Sequence, residues 1–278
     1  MTKYLKTDWD YTAERLVEVY DELPLWAAPF GLKLLEGIKY KKGIKAVDIG
    51  FGAGFPLTEI AMRLGKDSII YGIDPWEAGV DRAEKKIDYY GIRNIKIIRG
   101  VAENIPIDNN SIDLIVSNNG LNNVSDLDKS LSECSRIMKS EGQFIQTMNL
   151  IDTMIEFYSS MENVLTDLKL DYCIQTMRNQ INKKRKPLDQ YLEQLKSHGF
   201  SIDSVNHDKF KYQFVDGTTM LNHYFIRLAF LDSWKTIVPN ERQVEIFELI
   251  ENELNLKSAK DGVLTLSVPF VTINCKKM

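Results

Sequence analysis

Three glycines at alternate positions follow an apolar segment that ends in an acidic residue, in Val47-Asp-Ile-Gly-Phe-Gly-Ala-Gly-Phe-Pro56. Glycine has no Cβ, so it permits sharp turns and lets a ligand approach the backbone closely. Open α/β sheets bind ligands at the carboxyl ends of their strands, where a carboxylate can accept a hydrogen bond from a ligand ammonium group. The pattern predicts a turn with room for a nucleoside and an amino-acid tail. The residues predicted to form it are Asp48, Gly50, Phe51, Gly52 and Gly54.

The spacing of the glycines differs from that of a dinucleotide site. Such a site usually shows G-x-G-x-x-G, which opens a helix whose N-terminus meets a pyrophosphate. In a register that starts at Gly50, Phe55 takes the place of the third glycine, and in one that starts at Gly52, Leu57 takes it. The turn therefore favours a cofactor without phosphate. A chance glycine-rich turn remains an alternative, so the interpretation depends on the segments that follow.

A second apolar segment, Ser68–Ile73, ends at Asp74. A carboxylate at this distance after a glycine turn suits a ribose diol, because it can accept hydrogen bonds from both hydroxyls. It can equally cap the helix predicted over Glu77–Tyr90, and the two roles are compatible. We predict that Asp74 binds ribose and that Pro75 belongs to the same site. This feature does not distinguish a dinucleotide from a nucleoside cofactor without phosphate, because both contain ribose.

The third predicted strand, Asn94–Arg99, precedes Gly100-Val-Ala-Glu-Asn-Ile-Pro-Ile-Asp-Asn-Asn-Ser-Ile-Asp113. This segment is similar to the pattern G-D-A-E-x-L-P-F-x-D-x-S-F-D of class I S-adenosylmethionine-dependent methyltransferases, and the glycine turn resembles their first motif. The resemblance implies S-adenosyl-L-methionine as the cofactor, with Ala102 offering its backbone to the adenine ring. The family's acidic residue that meets the adenine amino group falls on Val101, and Glu103 is a candidate to replace it.

The next segment, Asn119-Gly-Leu-Asn-Asn-Val-Ser-Asp126, resembles the G-L-R-N-V-x-D stretch of ubiquinone- and menaquinone-biosynthesis methyltransferases, with Asn122 in place of the arginine. After a predicted helix, Asp128–Met138, Lys139-Ser-Glu-Gly142 is similar to the family's K-P-G-G turn. The resemblance covers roughly residues 40 to 150. It implies a doubly wound α/β fold with a Rossmann-like, seven-stranded, mostly parallel sheet whose last strand is antiparallel.

Composition limits the classes of partner. The chain has 278 residues, a formal net charge of −4 and a pI of about 5.6, which gives no general reason to expect nucleic-acid binding. Its three cysteines are far apart and form no metal-ligand pattern, so we expect no metal and a reducing, cytoplasmic location. We expect neither a signal peptide nor a membrane span, since no run of 18 apolar residues exists. The oligomeric state is not indicated.

Patterning along the chain predicts a single methyltransferase domain over residues 1–278. A helical N-terminal segment comes first, alternating strands and helices follow, and two closing strands are separated by helical stretches. We expect the N-terminal segment to act as a lid and the helical insertions to cover the carboxyl edge of the sheet. A loop is predicted over Asn179–Pro187. The predicted parts are the lid 1–42, the cofactor-binding core 43–150, the insertions 151–199 and 217–261, and the closing strands 200–216 and 262–278.

The catalytic residue is not evident from the sequence. Methyl transfer from a sulfonium can rely on orientation and desolvation, and a general base is needed only if the acceptor must lose a proton. Candidates are His223, Tyr20 and Asn119, and Asn118 is assigned to the cofactor. Residues 117–120, Ser-Asn-Asn-Gly, lack the D-P-P-Y or N-P-P-Y motif of many nucleic-acid and protein amino-methyltransferases, which counts against methylation of adenine or cytosine amino groups.

Three functions are compatible with these observations. The favoured one is methyl transfer from S-adenosylmethionine to a small or medium-sized acceptor. A non-catalytic S-adenosylmethionine-binding module is an alternative, since Val101 and Asn122 depart from the family pattern. An NAD-dependent oxidoreductase is the other alternative, and the glycine register argues against it. Neither the acceptor nor the atom that receives the methyl group follows from the sequence.

Overall fold

A computed structural model of the protein describes residues 2–7, 9–20 and 26–278, without the side chains of Val19 and Tyr20. The internal contacts divide the chain into two units. The sheet unit comprises residues 10–149, 187–208 and 270–278, and the helical unit comprises residues 1–9, 150–186 and 209–269. The predicted insertion 151–199 is thereby divided, because its last residues belong to the sheet unit.

Seven strands form one sheet in the order β3-β2-β1-β4-β5-β7-β6. The strands β1 to β5 pair in parallel, and β7 pairs antiparallel with β5. The predicted α/β class with a mostly parallel seven-stranded sheet is confirmed. The strands are β1 Lys45–Ile49, β2 Ile69–Asp74, β3 Ile95–Arg99, β4 Ile112–Asn118, β5 Met138–Asn149, β6 Phe200–Phe214 and β7 Leu264–Lys277.

Helices lie on both faces of the sheet, as a doubly wound fold requires. In the third helix, Leu57, Ile60 and Leu64 share one face and are buried in the core, which is the 3.6-residue spacing of an amphipathic helix. The α-helices are α1 Glu14–Tyr20, α2 Ala27–Gly37, α3 Leu57–Leu64, α4 Glu77–Tyr89, α5 Leu127–Ile137, α6 Ile155–Asp167, α7 Asp171–Lys184, α8 Leu188–Ser197, α9 Gly217–Asn222, α10 Tyr224–Ile226, α11 Asp232–Lys235 and α12 Gln243–Asp261.

The predicted loop over Asn179–Pro187 is wrong in its first part, because α7 continues to Lys184. Cys173 and Met177 are buried on one side of this helix. The polar residues that follow remain compatible with a helix, since straight-chain polar side chains lose little freedom there. Gln180 also donates from Nε2 to the carbonyl oxygen of Ser233 at 2.8 Å, which holds the end of α7 within the helical unit.

The predicted turn over Lys139–Gly142 lies inside β5, which begins at Met138. Ile112 of β4 pairs with Met138, but Leu114 pairs with Gln143, so the register shifts between these two pairs. Glu141 has a φ of 62°, which breaks the regular strand. The turn sequence therefore produces a bulge within a strand, since extra residues on one strand can be accommodated in this way.

Candidate functional site

The end of β1 and the end of β4 come into backbone contact through two glycines. The N–H of Gly50 donates to the carbonyl of Ile73 at 2.9 Å, which ties the glycine turn to β2. Gly50 has a φ of 76°, and a Cβ placed there would lie 2.6 Å from the Cα of Gly120. A Cβ on Gly120 would in turn lie 2.1 Å from the carbonyl oxygen of Ile49. Gly50 is therefore required by the close approach of two strand ends.

Gly52 and Gly54 serve different purposes. Gly52 has a φ of 54°, and a Cβ there would meet no atom within 4 Å, so this position borders open space. A Cβ on Gly54 would lie 3.3 Å from the Cβ of Ala83, so Gly54 allows α4 to pack against the turn. Of the two, only Gly52 borders open space into which a side chain would extend.

Two cavities adjoin at this turn, because Gly50, Gly120 and Asn123 line both of them. We name the cavity of about 210 Å³ bordered by Asp74 the adenosine-side cavity, and the cavity of about 400 Å³ bordered by Asn119 the tail-side cavity. The names refer to the parts of S-adenosylmethionine that the predicted residues would bind. The predicted residues Asp74, Pro75, Ala102 and Glu103 line the adenosine-side cavity, and the predicted residues Phe51, Gly52, Asn118 and Asn119 line the tail-side cavity. Among the predicted cofactor residues, Asp48 and Gly54 line neither.

Asp74 holds the turn and faces the adenosine-side cavity. Its Oδ2 accepts from the N–H of Gly52 at 2.7 Å, and its Oδ1 accepts from the N–H of Trp76 at 2.8 Å. Burial raises the pKa of this carboxyl, and the two backbone hydrogen bonds oppose that rise. The helix-capping role expected for Asp74 is wrong, because the N-cap of α4 is Trp76, without a side-chain capping bond. Asp74 instead closes an Asx turn just before the helix. Each carboxylate oxygen has further acceptor capacity, so a ribose can also be bound.

Asp48 is fully buried, with 0% of its surface exposed, below the turn. Neither carboxylate oxygen has a hydrogen-bond partner among the residues that the structure describes. Burial, together with the nearby charge of Asp74, raises the pKa of Asp48 well above its usual value. An unpaired buried carboxyl of this kind favours its protonated form.

The loop after β3 forms the outer wall of the adenosine-side cavity. Val101 is 44% exposed there, whereas Ala102 is buried. Glu103 accepts through Oε1 from the N–H groups of Ser125 at 2.8 Å and Asp126 at 3.0 Å. Glu103 therefore holds the loop before α5 against the cavity. Its proposed second role, as a substitute for the carboxylate missing at Val101, stays a prediction.

Asparagines dominate the wall formed by the ends of β4 and β5. Asn118 accepts from the hydroxyl of Thr147 at 2.9 Å and donates to the carbonyl of Ala27 at 3.1 Å, so it connects the sheet to the start of α2. Asn119 has a φ of 60° and contacts Asn122 and Asn149 through its side-chain oxygen. Asn122 and Asn149 were not among the predicted site residues, and the run of asparagines was the available signal.

The remaining catalytic candidates stay predictions. His223 lies in the helical unit, where its ring contacts that of Phe214 at 5.3 Å and burial lowers its pKa. The side chain of Tyr20 lies outside the described part of the chain. Within that described part, no cluster of three or more His, Cys, Asp or Glu residues is suited to a metal ion. None of the described helices is long and apolar enough to cross a membrane.

The geometry fits S-adenosylmethionine. A bare backbone at Gly52 borders open space, a buried carboxylate lies at the rim of one cavity, and an amide nitrogen of Asn119 has no partner among the described residues. The adenosine part would be held by the adenosine-side cavity and the amino-acid part by the tail-side cavity.

A family model described as a methyltransferase domain matches residues 47–146, which span the glycine turn, Asp74 and the strands to β5. The sheet unit carries a class I methyltransferase domain. The cofactor of this domain is S-adenosylmethionine. The matched residues include every residue that the sequence analysis assigned to the cofactor, from Asp48 to Asn118.

Two curated relatives are methyltransferases. The chain is 26% identical over 163 residues to the probable cobalt-precorrin-6B C(15)-methyltransferase (decarboxylating) of Saccharolobus solfataricus, covering 56% of this chain and 80% of that protein. It is 30% identical over 117 residues to the demethylmenaquinone methyltransferase of Bacillus mycoides, covering 42% of this chain and 49% of that protein. The similarity to the second therefore spans about half of its length.

A solved structure extends the similarity of fold beyond this domain. The YcgJ protein of Bacillus subtilis superimposes with a TM-score of 0.57 at 16% sequence identity. The alignment covers 90% of this chain and 98% of that protein. At this level of identity, the match shows a shared fold.

Proposed function

We propose that the protein transfers a methyl group from S-adenosylmethionine to a small or medium-sized acceptor molecule. The observation that carries the proposal is the pair of cavities that adjoin at Gly50 and Gly120, with Asp74 at one and Asn119 at the other. The two methyltransferase relatives, whose names specify a precorrin and demethylmenaquinone, support an acceptor of this size.

Within the site, each group would bind or orient. Asp74 would accept from the ribose hydroxyls while keeping its bonds to Gly52 and Trp76, and the backbone of Ala102 would contact adenine. Bound S-adenosylmethionine supplies a methyl group on a sulfonium, whose leaving thioether is neutral. The chain's contribution is then the exclusion of water and the alignment of the acceptor, which can provide most of the rate enhancement for such a transfer.

Acceptor selection would lie outside the methyltransferase domain. Residues 1–42, 151–199 and 217–261 are the proposed lid and insertions, and His223 in the last of them would act as a base only if the acceptor must lose a proton. The absence of a D-P-P-Y-type motif after β4 supports a small molecule rather than a nucleic acid. A reducing, cytoplasmic location is supported by three cysteines that are all buried and free.

Turnover tests the proposal against a non-catalytic binding module. The purified chain would be incubated with methyl-labelled S-adenosylmethionine and fractions of small-molecule extract, and mass spectrometry would record S-adenosylhomocysteine and the labelled product. A labelled small molecule, formed at a rate that rises with enzyme concentration, is the expected result. If the cofactor binds but no fraction accelerates S-adenosylhomocysteine release, the protein is a binding module.

A further inference from the structure

The amide nitrogen of Asn119 is buried and has no hydrogen-bond partner among the residues that the structure describes. Asn119 lines the tail-side cavity. A buried donor without an acceptor is costly, and most such groups in folded proteins are paired. Because Asn119 borders the cavity, a ligand oxygen bound there can serve as the missing partner of this amide nitrogen.

The orientation of the Asn119 amide is fixed by a backbone N–H group, which can only donate a hydrogen bond. The backbone N–H of Asn149 donates to the side-chain oxygen of Asn119 at 3.2 Å, and a backbone N–H is never an acceptor. The atom that faces it must be Oδ1, so Nδ2 points away from Asn149. Asn122 reinforces this orientation, because its Nδ2 donates both to Asn119 Oδ1 at 3.0 Å and to Asn149 Oδ1 at 3.1 Å.

The wall around this donor is neutral or positive. Lys86 lines the tail-side cavity, and no Asp or Glu is among its lining residues in the described part of the chain. The lining also includes Ala27 and Ala28, which begin α2, an eleven-residue helix. The N-terminus of a helix carries partial positive charge. Among ligand oxygens, a carboxylate matches this surface best.

We propose that Asn119 donates through Nδ2 to a carboxylate of a small molecule in the tail-side cavity, and that Asn122 is a positioning residue acting through Asn119. The inference rests on the proposed function. Two molecules can supply the carboxylate, namely the amino-acid tail of the cofactor and the methyl acceptor. In either case, Asn122 is uncharged, unlike the arginine at this position in the family pattern, and it acts by fixing the orientation of the neighbouring Asn119 amide.

Calorimetry with two cofactor-like probes separates the sources. S-adenosylhomocysteine contains the carboxylate, whereas 5′-methylthioadenosine retains the adenosine and thioether without it. Asn119→Asp keeps an oxygen towards Asn149 and turns a carboxylate oxygen towards the cavity. If the cofactor is the source, this variant should bind S-adenosylhomocysteine at least tenfold more weakly and 5′-methylthioadenosine unchanged. If the acceptor is the source, the variant should bind both cofactor-like probes unchanged. Benzoate then serves as a carboxylate in place of the acceptor. Titrated into the 5′-methylthioadenosine complex, it should bind the variant at least tenfold more weakly than the wild type.

The role of Asn122 is tested through non-additivity. Asn119→Gly removes the amide without strain, because glycine tolerates a φ of 60°. Asn122→Ala should weaken binding of the carboxylate-bearing probe. Adding this substitution to Asn119→Gly should cause no further loss of affinity. Additive losses would contradict a role through Asn119.

A matched control is Asn110→Asp, which adds the same charge at an asparagine with a φ of 49° before β4, where Oδ1 accepts from Lys277. This control should leave every affinity unchanged. Equal weakening of both cofactor-like probes in Asn119→Asp, or no response of any probe, would overturn the proposal. A wild-type protein that binds neither cofactor-like probe would instead refute the proposed function.

Discussion

Gly50 and Gly52 should respond differently to the same substitution by alanine. Both have positive φ, 76° and 54° respectively, and alanine in that region costs about 1–2 kcal/mol of backbone strain. For Gly52 no further cost is expected, because its Cβ would meet no atom within 4 Å. For Gly50 the Cβ would lie 2.6 Å from the Cα of Gly120, which adds an overpacking cost of about 1–3 kcal/mol.

Thermal unfolding of the cofactor-free protein measures these costs. A loss of 1 kcal/mol lowers Tm by about 2–4 °C in a domain of roughly 150–250 residues. Gly52→Ala should therefore lower Tm by about 2–8 °C and Gly50→Ala by about 4–20 °C. Because both variants share one unfolding entropy, the ratio of the two shifts, about twofold, is the sharper expectation.

Cofactor affinity should be lowered by Gly52→Ala, although this substitution costs less stability than Gly50→Ala. The added methyl group of Gly52→Ala would stand in the tail-side cavity, so S-adenosylhomocysteine should bind at least about tenfold more weakly, or ~1.4 kcal/mol. Gly91→Ala is the control, since Gly91 has a φ of 67°, no atom within 4 Å of its Cβ and no place in either cavity. If Gly52→Ala binds as well as Gly91→Ala, or Gly50→Ala melts no lower than Gly52→Ala, the reasoning is wrong.

Three further substitutions test the titratable groups. Asp74→Asn should weaken S-adenosylhomocysteine binding by about 1.5–3 kcal/mol, the range for a hydrogen bond to a charged group, and unchanged calorimetric affinity in the folded variant would refute the ribose role. Since the folded pKa of Asp48 is raised, its contribution to stability is lost as pH rises. Asp48→Asn should therefore raise Tm near pH 7, with a gain that disappears towards about pH 4, the unfolded pKa. Burial lowers the pKa of His223, so a proton-accepting role predicts turnover that falls only in acid and is lost in His223→Asn. Unaltered turnover would exclude that role.

The central sheet could be predicted because its parallel strands are short apolar runs that end in polar residues. Asp48 is the last residue but one of β1 and Asp74 is the last residue of β2, so both predicted strand ends are reproduced to within one residue. The polar end of α7 could not be predicted, since burial of Cys173 and Met177 in the helical unit outweighs the local preference for a loop. The bulge at Glu141 could not be predicted either, because turn residues and bulge residues have the same preference for positive φ.

The location of the candidate site could be predicted, but its geometry could not. The glycine pattern identified the turn, yet the contact of Gly50 with Gly120 depends on the pairing of β1 with β4. The asparagine cluster likewise depends on the ends of β4 and β5, which bring Asn149 to Asn119. Local sequence carries no record of such contacts, because they are set by the register of distant strands.

Calorimetric titration of the wild-type protein with S-adenosylhomocysteine and, separately, with NAD is the most direct test of the central claim. We predict that S-adenosylhomocysteine binds at a single site and that NAD gives no binding heat, because Phe55 and Leu57 occupy the positions where a dinucleotide site has its third glycine. Binding of NAD without any response to S-adenosylhomocysteine would contradict the assignment of both cavities to S-adenosylmethionine.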